Sequence, residues 1–375
     1  MDKVLILASV ASMVDQFNMP NIELLKDMGY EVHVACNFEK GNTCSNEKII
    51  ALKRILERID VKFFQIDFER SPFKITKNIK AYKQVYHLLE KNKYKFIHCH
   101  SPIGGVCGRI AAHITNTKII YTAHGFHFYK GAPLFNWLIY YPVEKLLAKY
   151  TDILITINKE DEARAKSKLN VKNIYYVPGI GISIDKFNKK YINKIEKRTE
   201  LGLSVNDYVI LSVGELNKNK NHEIVIRALS KIKNRSNIKY IICGKGPLDI
   251  KLKRLISKYK LSNNVFILGF RNDIDEIYKI SDLFVFPSHR EGLSVALIEA
   301  LASGLPIIAS NIRGNNDLII QGVNGLLIDK NKAEKYAEAI LNIYNKTINL
   351  SKSNDYEIYS LENVMSLMRN IYNKI

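Results

Sequence analysis

The chain contains 375 residues with a formal net charge of +19, and 47% of its residues are hydrophobic while 25% are charged. This composition is close to the globular average, which excludes disordered and fibrous proteins, and the length suggests two domains or three. No apolar run approaches the ~18 residues of a membrane-spanning helix, and a cleaved signal peptide is not expected. The five cysteines include no Cys-x-x-Cys pair, so we expect a reduced, cytoplasmic compartment and no cysteine-based zinc site.

Apolar segments of strand length alternate with segments of helical periodicity along the whole chain. In the first half we predict strands at Val4–Ser9, Glu31–Cys36, Phe96–His100, Ile119–Tyr121, Ile153–Thr156 and Ile174–Val177. Between them we predict helices at Pro20–Met28, Ile75–Leu89, Gly105–His113, Phe135–Tyr150 and Lys159–Lys168. The pattern then restarts, with strands at Val209–Val213, Tyr240–Cys243, Val265–Leu268, Leu283–Phe286, Pro306–Ala309 and Gly325–Ile328.

This alternation predicts an α/β fold with parallel sheets covered by helices on both faces. Because a single sheet of a dozen strands is unusual, we predict two Rossmann-like domains, which join near Pro178–Asn188. The first covers residues 1–185 and the second residues 186–355. The last segment, residues 356–375 with its helix Leu361–Tyr372, is expected to cross back onto the first domain. Neither first strand is followed by Gly-x-Gly-x-x-Gly, which disfavours an NAD-type site.

The positive charge is concentrated in residues 51–150, which carry 17 basic and 6 acidic residues. The densest part is Lys74–Lys95, where apolar residues recur at the three- and four-residue steps of a helix. Lysines and aromatic residues on one helix can hold a protein on anionic lipid. The predicted patch for contact with the membrane and its acceptor consists of Lys77, Lys80 and Lys83. The alternative is a helix that docks on a sheet and has a solvated basic face.

The most informative segment runs from Phe286 to Ala309 and contains two glutamates eight residues apart. Glu291 falls in the loop at the carboxyl edge of the sheet, where open α/β sheets bind ligands. The amides of Leu293–Val295 start the following helix and form an anion site suited to a diphosphate. Glu299, one to two turns further, can then accept hydrogen bonds from ribose hydroxyls. The alternative is an ordinary helix start with acidic residues favoured by the helix dipole or simply exposed.

The spacing Glu291-x7-Glu299, within Pro-Ser-x-x-Glu-Gly-x6-Glu-Ala-x-Ala-x-Gly-x-Pro, resembles the signature of the family 4 retaining glycosyltransferases with the GT-B fold. Other segments agree with this family in order along the chain. They are His98–Gly105, Tyr121–Pro133, Pro178–Ile182, Val213–Lys220, Cys243–Pro247, Leu268–Arg271 and Gly322–Gly325. The first-domain segments are similar to those of bacterial capsular and exopolysaccharide glycosyltransferases.

The resemblance implies parallel sheets that face a cleft, with a nucleotide-sugar on the second domain and the acceptor on the first. It implies that Glu291 contacts the transferred sugar, that Glu299 holds the ribose and that Lys220 meets the diphosphate. The other donor-binding residues that it implies are Gly214, Arg271, Gly292, Leu293, Ser294 and Val295. The family often has an arginine where this chain has Glu215, so Lys218, Lys220 or Arg290 is expected to take over phosphate binding.

Several histidines lie in the first domain, and the resemblance distinguishes one of them. His124 matches the family's cleft histidine and is, with Glu291, the predicted catalytic pair; the alternative is a structural loop histidine. His127 is expected to be structural or to lie near the acceptor. His98 and His100 share a strand face, but two histidines without carboxylate partners make a weak metal site, so we expect a structural or cleft-lining role.

No metal and no cofactor other than the donor substrate are expected. The triplet Asp273-Ile274-Asp275 has the form that metal-dependent glycosyltransferases of the other major fold use. Here it leads into a helical pattern, and acidic residues are favoured at a helix start by the dipole. We therefore assign no metal to this triplet.

The sequence thus predicts a hexosyltransferase that moves a sugar from a nucleoside-diphosphate donor, expected to be a UDP-sugar, to a glycan acceptor, expected to be lipid-linked. The cluster of lysines places it at the cytoplasmic face of a membrane as a peripheral enzyme of surface-glycan synthesis. Two alternatives remain. One is a nucleotide-sugar 2-epimerase with the GT-B fold. The other is a basic nucleic-acid-binding protein, which is disfavoured because no RNP, helix-turn-helix or KH-like signature is present.

Overall fold

The computed structural model describes residues 1–41, 44–69, 71–188, 191–329, 332–351 and 355–375. They form two compact units, Met1–Ile180 with Val364–Ile375 and Gly181–Asn363. The division falls inside the segment Pro178–Asn188 where the sequence pattern breaks. The returning part begins at Val364 rather than at residue 356, because Tyr359 is buried in the core of the second unit and its carbonyl accepts a hydrogen bond from Ile182 N at 3.0 Å.

The first unit is built on a seven-stranded parallel sheet with helices on both faces. Its strands are β1 (Lys3–Val10), β2 (Glu31–Asn37), β3 (Lys62–Gln65), β4 (Phe96–His100), β5 (Lys118–Ala123), β6 (Ile153–Thr156) and β7 (Asn173–Tyr176). Its helices are α1 (Ala11–Phe17), α2 (Met19–Asp27), α3 (Asn46–Arg58), α4 (Ile75–Asn92), α5 (Pro102–Ile114), α6 (Leu134–Ala148) and α7 (Lys159–Lys168). The strand order is β3-β2-β1-β4-β5-β6-β7, so the direction of winding reverses between β1 and β4.

The second unit repeats this design with a six-stranded parallel sheet. Its strands are β8 (Tyr208–Val213), β9 (Ile238–Cys243), β10 (Val265–Gly269), β11 (Leu283–Phe286), β12 (Ile307–Ser310) and β13 (Gly325–Ile328). Its helices are α8 (Ile184–Asn188), α9 (Lys194–Glu200), α10 (His222–Lys231), α11 (Asp249–Lys258), α12 (Ile274–Ile280), α13 (Val295–Ala302), α14 (Asn315–Leu318), α15 (Ala333–Tyr344) and a 3₁₀ helix (Asp355–Tyr359). The order β10-β9-β8-β11-β12-β13 reverses between β8 and β11.

Each central strand is buried on both faces, which explains why these strands are continuous apolar runs in the sequence. In β1, Val4 and Ile6 belong to one core, whereas Leu5 and Leu7 belong to the core on the other face. The last helix, α16 (Leu361–Tyr372), completes the first of these cores. Its Tyr372 ring stacks on Phe96 of β4 with the ring centres 5.8 Å apart.

The prediction of six strands in the first half was incomplete, because the structure adds β3. This strand has four residues, pairs only with β2 at the sheet edge and begins with the exposed Lys62, so it lacks a buried apolar run. Helix α3 was also missed, although its start carries a usable signal. Ser45 caps it by accepting a hydrogen bond from Lys48 N at 3.5 Å.

Candidate functional site

In the second unit, the segments that follow β8 and β11 meet at the carboxyl edge of the sheet, where the strand order reverses. Ligands of open α/β sheets bind at this point. The segment after β8 carries Lys220, and the segment after β11 carries Glu291. Nζ of Lys220 lies 2.7 Å from Oε1 of Glu291 and 4.7 Å from the centre of the Phe286 ring. A cation and a carboxylate are therefore brought together from distant parts of the chain.

Two polar side chains hold the loop that carries Glu291. Asn219 Nδ2 donates a hydrogen bond to the Arg290 carbonyl at 2.9 Å and lies 3.5 Å from Oε1 of Glu291. Arg313 Nε donates to the Glu291 carbonyl at 3.2 Å. The segments after β8 and β12 thus both hold the loop that carries the Glu291 carboxylate. This arrangement favours a preorganised site.

Two glycines, Gly244 and Gly314, allow close backbone contacts around this edge. A Cβ atom on Gly244 would lie 1.9 Å from the carbonyl oxygen of Gly214. A Cβ atom on Gly314, whose φ is +81°, would lie 2.2 Å from the carbonyl oxygen of Gly292. The loops after β8, β9, β11 and β12 are therefore packed backbone against backbone, and no larger residue fits without displacing them.

Helix α13 begins at this edge, and its second turn carries the half-buried Glu299. Ser294 caps the helix by accepting a hydrogen bond from Leu297 N at 3.4 Å, and the N–H groups of the first turn have no intrahelical partner. One turn further, Oε2 of Glu299 lies 3.1 Å from the Tyr278 hydroxyl. Burial raises the pKa of Glu299 to about 7, against the lowering effect of the Tyr278 hydrogen bond.

In the first unit, histidines gather at the carboxyl ends of β4 and β5, next to its own point of reversal. Nδ1 of His100 lies 3.0 Å from Nε2 of His124. Both ring nitrogens of His98 are hydrogen-bonded: Nδ1 lies 2.9 Å from the Tyr372 hydroxyl, and Nε2 lies 2.7 Å from Thr122 Oγ1. Burial lowers the pKa of His124 to about 4 and that of His98 to about 3, and it also lowers the pKa of His100. All three rings are therefore neutral near pH 7.

Comparison with known proteins connects both units to one family. The family model described as "Glycosyl transferase 4-like" matches residues 3–158, and the model "Glycosyl transferases group 1" matches residues 193–359. EpsD of Bacillus subtilis (strain 168), which is named as a glycosyltransferase, is 37% identical over 352 residues, covering 92% of this chain and 88% of EpsD. The chain belongs to the family 4 glycosyltransferases.

Two further relatives of this glycosyltransferase are informative. The Escherichia coli enzyme named UDP-Gal:alpha-D-GlcNAc-diphosphoundecaprenol alpha-1,3-galactosyltransferase is 32% identical over 357 residues, covering 93% of this chain and 89% of that enzyme. The structure of Anabaena HepE in complex with UDP-glucose superposes with a TM-score of 0.78 at 18% identity over the full length of both chains. The glycosyltransferase therefore has the GT-B fold and is a hexosyltransferase.

The structure brings together many of the donor-binding residues predicted for the glycosyltransferase. Two sets of these residues follow the adjacent strands β8 and β11. Gly214 and Lys220 follow β8. The residues that follow β11 are Glu291, Gly292, Leu293, Ser294, Val295 and Glu299. Arg271 follows β10, and its guanidinium pairs with the carboxylates of Asp273 at 2.5 Å and Glu200 at 3.1 Å. Glu215, which replaces the usual arginine, is exposed and accepts a hydrogen bond from Asn217 at 2.9 Å.

The predicted lysine patch lies on the exposed side of α4, but two of its members have acidic partners. Lys77 Nζ lies 3.1 Å from Glu69, and Lys80 Nζ lies 2.7 Å from Asp67. Lys83 is exposed. The local positive charge of α4 is therefore smaller than the count of lysines suggests.

Two observations bear on metals and membranes. In the described part of the chain, no group of three or more His, Cys, Asp or Glu side chains has a geometry that could hold a metal ion. The triplet Asp273-Ile274-Asp275 lies at the start of α12, as its pattern predicts. Among the same residues, no helix has both the length and the hydropathy that crossing a bilayer requires.

Sequence reasoning missed several residues that hold the candidate site in place. Asn219 and Arg313 hold the Glu291 loop, and Tyr278 contacts Glu299, yet no spacing in the sequence assigns these contacts to them. Their roles depend on which strands become neighbours in the sheet. His100, which the sequence analysis expects to be structural or to line the cleft, lies at the end of β4 next to β5, which leads to His124.

Proposed function

We propose that this glycosyltransferase transfers one sugar from a UDP-sugar to a lipid-linked glycan acceptor and retains the anomeric configuration of the sugar. The observation that carries the proposal is the Lys220–Glu291 pair beside the N-terminus of α13. One edge thereby offers a cation, a carboxylate and the N–H groups of a helix start, which suit a diphosphate and its attached sugar. The named donor and acceptor of the E. coli relative and the UDP-glucose bound to HepE support the choice of substrates.

In the proposed donor complex, the diphosphate binds Lys220 and the amides of Leu293–Val295. Because the phosphates compete with Glu291 for the Lys220 ammonium group, donor binding releases the Glu291 carboxylate. This carboxylate then accepts hydrogen bonds from hydroxyls of the transferred sugar, while Glu299 accepts them from the ribose. Ribose hydroxyls bind the ionised carboxylate best, so nucleotide binding lowers the pKa of Glu299 from its value of about 7.

The proposed reaction takes place on one face of the sugar. The bond between the anomeric carbon and the phosphate oxygen breaks, and the acceptor oxygen forms its bond to the same face. The acceptor proton passes to the departing phosphate oxygen. Lys220 neutralises the charge that develops on the leaving diphosphate, Glu291 stabilises the oxocarbenium-like state, and His124 hydrogen-bonds the donor sugar, as the family resemblance implies.

We also propose that the reaction needs no metal, because Lys220 and the α13 N-terminus supply positive charge where the diphosphate leaves. The expected rate of sugar transfer is the same in EDTA as in Mg²⁺ or Mn²⁺. A rate that is lost in EDTA and restored by one of these ions would contradict this part of the proposal.

The proposed place of action is the cytoplasmic face of a membrane, with the protein bound peripherally. A lipid-linked acceptor remains in the bilayer, so the enzyme must approach its surface. The excess of positive charge in residues 51–150 favours anionic lipid as the contact.

A panel of UDP-, GDP- and dTDP-sugars with lipid-linked acceptors tests the proposed function. The expected result is release of UDP, an acceptor longer by one sugar, and the donor's anomeric configuration in the product. An inverted product would contradict the retaining mechanism. An epimerised UDP-sugar formed without any acceptor would instead indicate a nucleotide-sugar 2-epimerase.

A further inference from the structure

Helix α6 of the first unit exposes a continuous apolar stripe. Leu134, Phe135, Leu138 and Leu146 are exposed by 81%, 58%, 74% and 56%. Pro142 is exposed as well. Successive residues of an α-helix are about 100° apart, so these five side chains occupy an arc of about 120° along the helix. Exposing such an apolar stripe to water is unfavourable in free energy, and it marks a surface that a partner covers.

Residues that flank this stripe on α6 attach the helix to the protein. Trp137 and Tyr141 pack against Phe128, with ring centres 5.6 Å and 5.4 Å apart. Asn136 Nδ2 donates a hydrogen bond to the His127 carbonyl at 3.0 Å. The apolar stripe is therefore the outer surface of an anchored helix and not a segment that could turn inward.

The only charges on the exposed arc are positive. Lys145 and Lys149 are exposed, and their positions fall within the same 120° arc. Glu144 is the one acidic residue in residues 101–150. It is buried and its Oε2 accepts a hydrogen bond from Arg109 Nη1 at 2.7 Å.

We propose that the outer face of α6 is the surface by which this protein inserts shallowly into an anionic lipid bilayer. Leucine and phenylalanine side chains on one helix face, with lysines beside them and aromatic rings at the flanks, are what an interfacial helix uses. The apolar stripe enters the acyl boundary while Lys145 and Lys149 reach lipid phosphates.

Charge favours a bilayer over a second copy of this chain as the occupant. A twofold interface brings the same surface of each copy together, so the lysines at positions 145 and 149 of both copies would enter one contact. Like charges in such a contact repel one another, whereas anionic lipid attracts both lysines. The lysines of α4 are weaker candidates for the main contact, because Lys77 and Lys80 pair with carboxylates.

The position of α6 also fits the proposed acceptor, and this step rests on the proposed function. The helix starts ten residues after His124, and its Tyr140 ring stacks on His127 at 4.4 Å. A bilayer against α6 would thus lie beside the segment that leads from His124, where a lipid-linked acceptor has to arrive.

Vesicle binding tests the inference, and Trp137 provides a local signal because it is the only tryptophan of the chain. With phosphatidylglycerol–phosphatidylcholine vesicles we expect co-sedimentation, a blue shift of Trp137 emission and quenching by brominated lipid. The double variant Leu134→Ser with Leu138→Ser should weaken binding about tenfold or more. The matched control, Val205→Ser with Ile250→Ser, changes two exposed apolar residues of the second unit and should bind like the unaltered protein.

Unchanged vesicle binding of the Leu134→Ser, Leu138→Ser variant would overturn the inference, as would equal binding to vesicles of phosphatidylcholine alone. A larger loss in Lys77→Glu, Lys80→Glu, Lys83→Glu than in the α6 variant would move the contact to α4. A dimer in sedimentation that the α6 variant abolishes would assign the stripe to a second copy. UDP binding without vesicles tests the proposed function separately, and the α6 variant should keep it.

Discussion

The two sheets have the same winding and the same point of reversal, yet the side chains at their carboxyl edges differ in charge. In the second unit, Lys220 and Glu291 form an ion pair at 2.7 Å. In the first unit, His98, His100 and His124 are kept neutral by burial. The two edges are therefore equivalent in topology, but the edge of the second unit carries a charged pair and that of the first unit carries neutral rings.

Removing the charges of the second unit should have the largest effect. We expect Lys220→Ala and Glu291→Ala each to lower the rate of sugar transfer by roughly 10²–10³-fold, since each removes an electrostatic contact to the reacting centre. The proteins should stay folded, because both side chains lie at the edge rather than in a core. The matched control is Lys251→Ala, which breaks the exposed pair with Glu223 at 2.6 Å and should keep full activity. Full activity in both variants would contradict the assignment of Lys220 and Glu291 to the active site.

The backbone packing around the same edge can be tested with one methyl group. Gly314→Ala should weaken UDP binding by about tenfold or more, because its Cβ would displace the Gly292 carbonyl that it meets at 2.2 Å. Gly202→Ala has a similar φ, +70°, but its Cβ meets nothing within 4 Å, so it should cost about 1 kcal/mol of stability and leave binding intact. Equal UDP affinities in the two variants would contradict the role of this close contact.

The two regions should respond to pH in opposite directions. Glu299 has a raised pKa of about 7 in the folded chain, so the folded state binds more protons than the unfolded state between pH 4.5 and 7. This contribution to stability is present at low pH and is lost as pH rises, by about 2 kcal/mol between pH 5 and 7.5. Glu299→Gln should remove this loss in denaturant titrations without nucleotide. A pH dependence that is the same in both proteins would argue against a raised pKa of Glu299.

His124 should show the reverse trend. Its pKa is lowered to about 4, so the unfolded state binds more protons between pH 4 and 6.5, and stability falls by about 2 kcal/mol from pH 7.5 to 5. His124→Gln should reduce this acid loss, whereas the exposed His87→Gln should leave it unchanged. If His124→Gln lost as much stability between pH 7.5 and 5 as the unaltered protein, a lowered pKa of His124 would not be the cause of that loss.

Much of the fold and part of the site follow from the sequence because their signals are local. The central strands are unbroken apolar runs, and Glu291 and Glu299 stand in one recognisable segment that spans a strand end and a helix. The pairing of Lys220 with Glu291 is different, since it depends on β8 and β11 becoming neighbours. The raised pKa of Glu299 likewise depends on burial beside Tyr278, which no spacing reveals.

The exposed face of α6 likewise depends on tertiary contacts that the sequence does not reveal. The sequence predicts a helix over Phe135–Tyr150, but apolar residues surround this helix on nearly all sides. Periodicity therefore cannot tell which side packs inward. Only the contacts of Trp137 and Tyr141 with Phe128 identify the face that is left outside.

Hydrogen exchange of the backbone amides with and without UDP locates the nucleotide on the protein. We expect slower exchange on UDP binding in residues 214–220 and 292–299, which follow β8 and β11 of the second unit. Residues 98–128 of the first unit, which hold the neutral histidines, should change little with UDP alone. Protection confined to residues 98–128, with none at 214–220 or 292–299, would contradict the claim that the charged edge of the second unit binds the nucleotide.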